Sequence, residues 1–249
     1  MLTSRIRAVA RANTVLILLA VAAVTIVPAA QAQIGFGPKQ KPASTFLEIG
    51  FLMATPEGEF ADHIGNGYGG AGYLLHTFDR NRVIGLRLDF GLVTYGHERQ
   101  RTCISATIGC RIEVNVNTNN NIMMAAIGPQ LMAPTGTFRP YVNASVGLAY
   151  LFTQSSLDGV GGAPESIAQT TNFDDATFAW NAGGGLYIPL RNGPRPISLD
   201  IGAQYHANGR AQYLREGSIT DNPDGSISFT PIDSQTRLLS YHLGVTFGF

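Results

Sequence analysis

The sequence predicts an all-β protein, an eight-stranded antiparallel transmembrane β-barrel with short turns at one end and long loops at the other. The segment 239–249 alternates strictly between large apolar and small or polar side chains, as in a β-strand with one apolar face. Seven earlier segments have related patterns, joined by connections that are alternately short and long. Charged residues make up only 14% of the chain, against about 25% in ordinary soluble proteins.

The chain begins with the features of a secretory signal peptide. Three arginines within residues 1–11 are followed by the apolar run 15–27 and by Ala30-Gln31-Ala32, a small-residue cleavage site. An uncleaved anchor is the alternative, but the apolar run is shorter than the roughly 20 residues that a spanning helix needs. We therefore expect cleavage after Ala32. The predicted organisation is a signal peptide at 1–32, a periplasmic leader at 33–44 and the barrel at 45–249.

The eight predicted strands are close to the 9–11 residues that a tilted membrane-spanning strand requires. They are residues 45–54, 68–77, 82–95, 121–132, 139–152, 177–189, 196–205 and 239–249. In the third segment, apolar residues from Ile84 to Leu92 are expected to face outward, with Arg87 and Asp89 inward. In the second segment, we expect Ala71, Tyr73 and Leu75 to face outward. The fourth segment alternates least clearly.

The connections predict the topology. The short ones, 79–81, 134–137 and 191–194, contain Asp, Asn, Gly and Pro, which favour tight turns. The long ones are 55–67, 96–120, 153–176 and 206–236. This alternation predicts short periplasmic turns and long extracellular loops. A soluble lipocalin-like barrel is the structural alternative, but it would leave the apolar face of the third segment in water.

Aromatic residues near the segment ends are expected to form two interfacial girdles, although some could instead pack on loops. They are Tyr73, Tyr95, Tyr141, Tyr150, Phe178, Trp180, Tyr205, Phe247 and Phe249.

The layout of residues 45–249 resembles the small outer-membrane barrels of the OmpA, OmpX and opacity-protein type. The resemblance rests on the strand pattern and on the closing strand, which ends in Phe249. It implies localisation in the bacterial outer membrane and contact with its lipid and lipopolysaccharide. It also implies that the barrel assembly machinery recognises the aromatic residues Tyr241, Phe247 and Phe249.

Polar side chains on the predicted inward faces form a candidate lumen network. They are Glu48, Arg87, Asp89, Asp200, Gln204 and His242. Because the interior of an eight-stranded barrel is only wide enough for its own side chains, these charges must pair and form hydrogen bonds. A structural ionic plug is the first interpretation. A gated narrow pore or a proton path is the alternative.

The two cysteines, Cys103 and Cys110, both lie in the second long loop. In an oxidising compartment this spacing predicts a disulfide bond. A metal site is not expected, because zinc usually takes four ligands and only His97 is close in sequence.

His206 raises the possibility of an enzyme. Its surroundings resemble a strand end of the PagL-type lipid A deacylases, which use a Ser–His pair. That motif places a serine two residues after the histidine, where this chain has Asn208. We therefore expect no catalytic residues and no cofactor, with His206 at the rim of the barrel.

The last long loop contains a turn at 222–225 between two β-rich arms, which predicts a hairpin and an extension of strands seven and eight as a ribbon. Exposed strand edges can recruit partners by strand addition. The sequence contains no basic patch with interleaved aromatic residues, so nucleic-acid binding is not predicted. The sequence thus predicts a structural or surface-interaction role: envelope stabilisation, adhesion or ligand binding by the loops. The alternatives are a narrow channel for small or hydrophobic solutes and a lipid A-modifying enzyme.

Overall fold

The computed structural model describes residues 42–103, 113–134, 136–159, 167–222 and 226–249. The chain divides into two units, Met1–Gln40 and Lys41–Phe249, and the barrel lies in the second. The predicted signal peptide and most of the predicted leader lie outside the described residues, and so does Cys110.

The strands of the described ranges are β1 (Thr45–Pro56), β2 (Gly67–Thr77), β3 (Ile84–Cys103), β4 (Glu113–Met132), β5 (Arg139–Gly159), β6 (Ala168–Arg191), β7 (Ile197–Asn208), β8 (Arg210–Tyr213), β9 (Ile219–Asp221), β10 (Ile227–Phe229), β11 (Ile232–Gln235) and β12 (Leu238–Gly248). A single 3-10 turn at Gly58–Phe60 follows β1. No helix in the described part of the chain is long and apolar enough to cross a membrane.

Eight of these strands close into an antiparallel barrel, which confirms the predicted fold class. The order around the barrel is β1, β12, β7, β6, β5, β4, β3 and β2. Closure joins the first and last barrel strands, with Phe46 opposite Gly248 and Pro56 opposite Leu238. Because the ring is complete, none of its strands leaves a free edge inside the membrane, where an unpaired backbone group is costly.

The outer face of the barrel is apolar, as the alternation predicts. In β3, Leu86, Phe90 and Leu92 are exposed while Arg87 is buried. In β12, Tyr241, Leu243 and Phe247 are exposed while the alternate residues Ser240 and Thr246 are buried. An exposed apolar band of this size is suited to lipid rather than to water.

The predicted faces of β2 are wrong. Tyr73 and Leu75 are buried in the lumen, and Tyr68 and Leu74 are exposed. Tyr73 stands opposite Glu48 of β1, and directly opposed residues point to the same side of a sheet. The sequence is ambiguous because leucines occupy both faces of β2, while glycines at 70 and 72 remove the apolar signal from the outward one.

Only some of the residues predicted to form the aromatic girdles face outward. Phe178, Trp180, Phe247 and Phe249 are exposed on the outside, whereas Tyr73, Tyr95 and Tyr141 are buried inside.

The three connections predicted to be short are short, and the first of them is a tight turn. In the first, the carboxylate of Asp79 accepts hydrogen bonds from the backbone amides of Ile84, Val83 and Asn81 at 3.0, 2.7 and 3.1 Å. These hydrogen bonds hold the pKa of the Asp79 carboxyl below its ordinary value. Gly136 and Gly193 adopt positive φ angles in the other two turns, where residues with a side chain are strained.

Four strands extend well past the predicted membrane segments. β3, β4, β5 and β6 contain 20, 20, 21 and 24 residues, so much of the predicted loops 96–120 and 153–176 is paired strand. The last loop contains the predicted hairpin, since β9 pairs with β10. A second pair, β8 with β11, forms its own two-stranded sheet rather than a continuous ribbon from β7 and β12.

The lumen is filled by two apolar clusters with polar groups between them. The extracellular cluster includes Leu52, Phe60, Tyr95, Tyr213 and Leu238. The periplasmic cluster includes Phe46, Tyr73, Leu75, Met132, Tyr141 and Tyr187. Packed side chains therefore flank the polar residues of the lumen toward both ends of the barrel.

Candidate functional site

Arg87 of β3 is the cation of the lumen network. Its Nε atom lies 2.5 Å from Oδ1 of Asp89, and Nη1 donates to Oε1 of Gln130 at 3.1 Å. Its guanidinium carbon lies 3.6 Å from the centre of the Tyr73 ring. A buried guanidinium needs such partners, because an unpaired charge in this environment costs several kcal/mol.

Asp200 of β7 is the second centre of the network and is completely buried. Its carboxylate accepts hydrogen bonds from the hydroxyls of Tyr73 at 2.7 Å and Tyr141 at 3.0 Å. Nε2 of His242 lies 3.4 Å from Oδ2 of Asp200 and 3.1 Å from the Tyr141 hydroxyl. The hydroxyls of Tyr73 and Tyr187 are 2.6 Å apart. Gln130 then joins the two centres, since its Nε2 donates to Tyr187 at 3.0 Å.

Glu48 of β1 is only 1% exposed and lies against two opposed glycines. A Cβ atom on Gly244 would come within 1.6 Å of Oε1 of Glu48, and one on Gly50 within 2.5 Å. These glycines therefore make the space that the carboxyl group occupies. Oε1 of Glu48 and Nε2 of Gln204 have no hydrogen-bond partner among the described residues.

The six predicted lumen residues thus share one interior, and Arg87, Asp89, Asp200 and His242 belong to its hydrogen-bonded network. Sequence reasoning missed Tyr73, Tyr141 and Gln130 as members of that network. A signal existed for Gln130, since it is the single polar side chain between Ile122 and Met132.

The structure also brings together a serine and a histidine that the sequence did not pair. Nε2 of His206 lies 2.8 Å from the Ser240 hydroxyl, and Nδ1 lies 3.0 Å from Oδ1 of Asn181. His206 is buried inside the barrel rather than at the rim. The adjoining cavity has a volume of about 40 Å³, enough for a few water molecules but not for an acyl chain.

The extracellular mouth is closed by a cap that joins the first and last long connections. Arg210 of β8 contacts Glu59 at 3.2 Å and Asp233 at 2.8 Å. Below them, the ring centres of Phe60 and Tyr213 are 5.0 Å apart in an edge-to-face arrangement. The Tyr95 hydroxyl donates to the carbonyl of Leu214 at 2.9 Å.

Beyond the membrane, β3 to β6 form a sheet whose strands are linked by polar side chains. The hydroxyls of Thr118 and Ser155 are 2.8 Å apart, and Asn172 donates to Ser155 at 2.6 Å. Asn117 donates to Asp158 across the same strands. Cys103 ends β3, and the bond to Cys110 stays a prediction.

The described residues contain no group of three or more His, Cys, Asp or Glu side chains placed to hold a metal ion.

The closed ring of eight strands, its apolar exterior and its filled interior define the class: this is a small outer-membrane β-barrel protein. The resemblance to barrels of the OmpA, OmpX and opacity-protein type is confirmed, and so is localisation in the bacterial outer membrane. No protein-family model matches the chain.

One curated relative is outer membrane protein PagN of Salmonella typhimurium, which is 29% identical over 143 residues. The match covers 55% of this chain and 54% of PagN, so the chain spans about half the length of that relative.

Solved structures with a similar layout include Neisserial surface protein A, with 11% identity, a TM-score of 0.47, and coverage of 83% of this chain and 98% of that one. Ail, the attachment invasion locus protein of Yersinia pestis, has 12% identity, a TM-score of 0.44, and coverage of 84% and 99%. None of the names of these three proteins describes an enzyme.

Proposed function

We propose that this protein is a non-conducting anchor in the outer membrane that presents its long hairpins as a ligand-binding surface outside the cell. The protruding sheet of β3 to β6 carries this proposal. β3 continues for eight residues after its irregularity at Thr94/Gly96, which is about 25 Å along the strand at roughly 3.3 Å per residue. A filled barrel needs no such extension to be stable, so the extension is available for another role.

The chemistry of the sheet fits a polar ligand. Its side chains are mainly amides and hydroxyls, which donate and accept hydrogen bonds without a strong charge preference. Pairing of β6 with β7 begins at Ala179, and Phe178 and Asp175 of β6 accept hydrogen bonds from Gly209 and Gln212 of the last connection. The edge of β6 that pairs with β5 alone is therefore limited to residues 168–174. Such an edge offers backbone groups to an extended segment of a partner by strand addition.

The test is a variant in which residues 98–118 and 155–170 are each replaced by a short Gly-containing turn, so that β3 to β6 are shortened together. The variant and the wild type are placed in lipid nanodiscs and compared on an array of glycans and extracellular-matrix proteins. We expect the shortened protein to retain its folded barrel, seen as heat-modifiable mobility on gels, and to lose ligand capture. Capture by the shortened variant equal to that of the wild type would contradict the proposal.

We propose further that lipopolysaccharide contacts the extracellular rim. An open groove on the outer wall is lined by Phe178, Trp180, Tyr205 and Arg237. Aromatic side chains suit the interface, and an arginine suits a lipid phosphate. We also propose that the signal peptide is cleaved after Ala32 and that the barrel assembly machinery recognises β12.

We assign no catalytic role to the hydrogen-bonded side chains of Asn181, His206 and Ser240, because the cavity beside them is too small for a lipid substrate. Lipid A from cells that express the wild type and Ser240→Ala should have the same mass spectrum. A lipid A species present with the wild type and lost with Ser240→Ala would overturn this assignment.

A further inference from the structure

The periplasmic end of the barrel carries an excess of arginine. The short turns and the strand ends beside them contain Arg80, Arg82, Arg139, Arg191 and Arg195 against the single acid Asp79. Within the described ranges, none of these arginines forms an ion pair within 4.0 Å. The extracellular segments 57–66, 96–120, 153–178 and 209–237 instead contain 13 acidic residues and six arginines. The unneutralised positive charge is therefore concentrated at the periplasmic end.

Arg82 has a backbone conformation that arginine rarely adopts. Its φ angle is 57°, in the left-handed region, whereas the other two periplasmic turns place glycines at their positive φ angles. The Arg82 guanidinium carbon lies 5.2 Å from the centre of the Phe46 ring, at the mouth of the lumen. Turn geometry alone favours glycine or asparagine at this position, so it does not explain why an arginine is found there.

A cavity of about 100 Å³ opens beside Arg82. Phe46, Leu75 and Met132 form apolar parts of its wall, and Arg139 and Asn192 contribute polar groups. The guanidinium of Arg139 is fixed by backbone carbonyls, donating to Ala133 at 2.9 Å, to Asn81 at 3.0 Å and to Arg82 at 3.2 Å. In the part of the chain that the structure describes, the guanidinium of Arg82 makes no hydrogen bond, which leaves its donors available.

We propose that Arg82, supported by the charge of Arg139, binds the phosphate of an anionic phospholipid headgroup from the periplasmic leaflet. A guanidinium presents two parallel N–H groups that match two phosphate oxygens. The site lies at the opposite end of the barrel from the proposed ligand-binding hairpins. The proposed lipid site and the proposed function are therefore tested independently.

The test uses the folded protein in dodecyl maltoside, a detergent without phosphate, titrated with dihexanoyl phosphatidylglycerol. The readout is the thermal unfolding midpoint. We expect the lipid to raise the midpoint of the wild type and of the control Arg99→Gln, which removes an exposed arginine from the extracellular hairpin. Arg82→Gly should lose at least nine-tenths of this rise.

Arg82→Gly also separates binding from folding. Because glycine relieves the left-handed strain, the variant without lipid should unfold at a midpoint equal to or above that of the wild type. Arg82→Asn, which tolerates the same φ angle, provides a second variant with the same expectation. An undiminished lipid response in both variants would overturn the site. An equal rise with inorganic phosphate at the same concentration would overturn the lipid as the source of the phosphate.

Discussion

Glu48 and the two glycines beside it show how tightly single residues determine the packing of the lumen. The carboxyl group lies against Gly50 and Gly244, which stand opposite each other on β1 and β12. Because the barrel interior has no room for a further methyl group at these points, either glycine is a sensitive position.

Gly244→Ala should destabilise the barrel by about 1–3 kcal/mol, the usual cost of overpacking. The new methyl group would meet mainly the Glu48 carboxyl, so Glu48→Ala should restore part of the loss in the double variant. Unfolding in urea from lipid vesicles measures both. Gly50→Ala is the matched control, because its methyl group would also meet the backbone of β12 at 2.6 Å and should not be rescued. Equal rescue of both variants would contradict this explanation.

Arg87 is the buried cation on which the network depends. Arg87→Leu leaves Asp89 without its partner and should cost about 3–5 kcal/mol in the same unfolding measurement. Arg101→Leu removes a partner of Glu113 from an exposed pair 3.6 Å apart, and exposed pairs contribute about 1 kcal/mol or less. Similar losses in the two variants would show that burial of Arg87 has no energetic consequence.

Arginine substitutions on the outward face of β3 test where the bilayer lies along the strand. Phe90→Arg places a charge midway along the lipid-facing part of the strand and should cost about 2–4 kcal/mol. Ile84→Arg lies at the first residue of β3, near the periplasmic interface, where the cost falls to roughly 0–1 kcal/mol. Equal costs at the two depths would contradict the placement of the bilayer.

Single residues were predictable where one face of a strand is clearly apolar. Arg87, Asp200 and His242 were placed inside the barrel because their neighbours in sequence are large and apolar. Tyr73 was misplaced, because the alternation of β2 does not distinguish its faces and the pairing of Tyr73 with Glu48 is not visible in one sequence. The contact of His206 with Ser240 likewise depends on β7 and β12 lying side by side.

At the scale of elements, β12 closes the barrel and carries the proposed assembly signal. Phe247→Ala combined with Phe249→Ala should reduce the amount of folded protein in the outer membrane several-fold, measured by heat-modifiable mobility of membrane fractions. Leu243→Ala also removes an exposed apolar side chain of β12 and should have little effect. Normal assembly of the double variant would contradict the role of these aromatic residues.

The lengths of β3 to β6 were the least predictable feature of the elements. Their membrane segments alternate because one face meets lipid and the other meets the lumen. Above the membrane most side chains are polar, and only β4 keeps a short alternation at Val114 and Val116. The hydrogen-bonded pairing nevertheless continues from Gly96 opposite Asn120 to Cys103 opposite Glu113. Backbone groups must find partners wherever they are screened from water, and pairing satisfies them without any sequence pattern.

At the scale of the whole molecule, the lumen is closed in layers. Packed aromatic and aliphatic residues lie at both ends, and the network around Arg87 and Asp200 lies between them. The sequence predicted the polar layer but not the extracellular cap, because Phe60 and Tyr213 belong to loops whose packing depends on distant segments. This closure underlies the proposal that the protein acts through its surface.

The conductance of the refolded protein in a planar lipid bilayer tests the filled lumen most directly. Protein shown to be folded by heat-modifiable mobility should give no current above the bare bilayer, because the packed side chains of the two apolar clusters fill the lumen toward both ends. Stable, reproducible current steps from the same preparation would contradict the filled lumen and would assign the protein to transport.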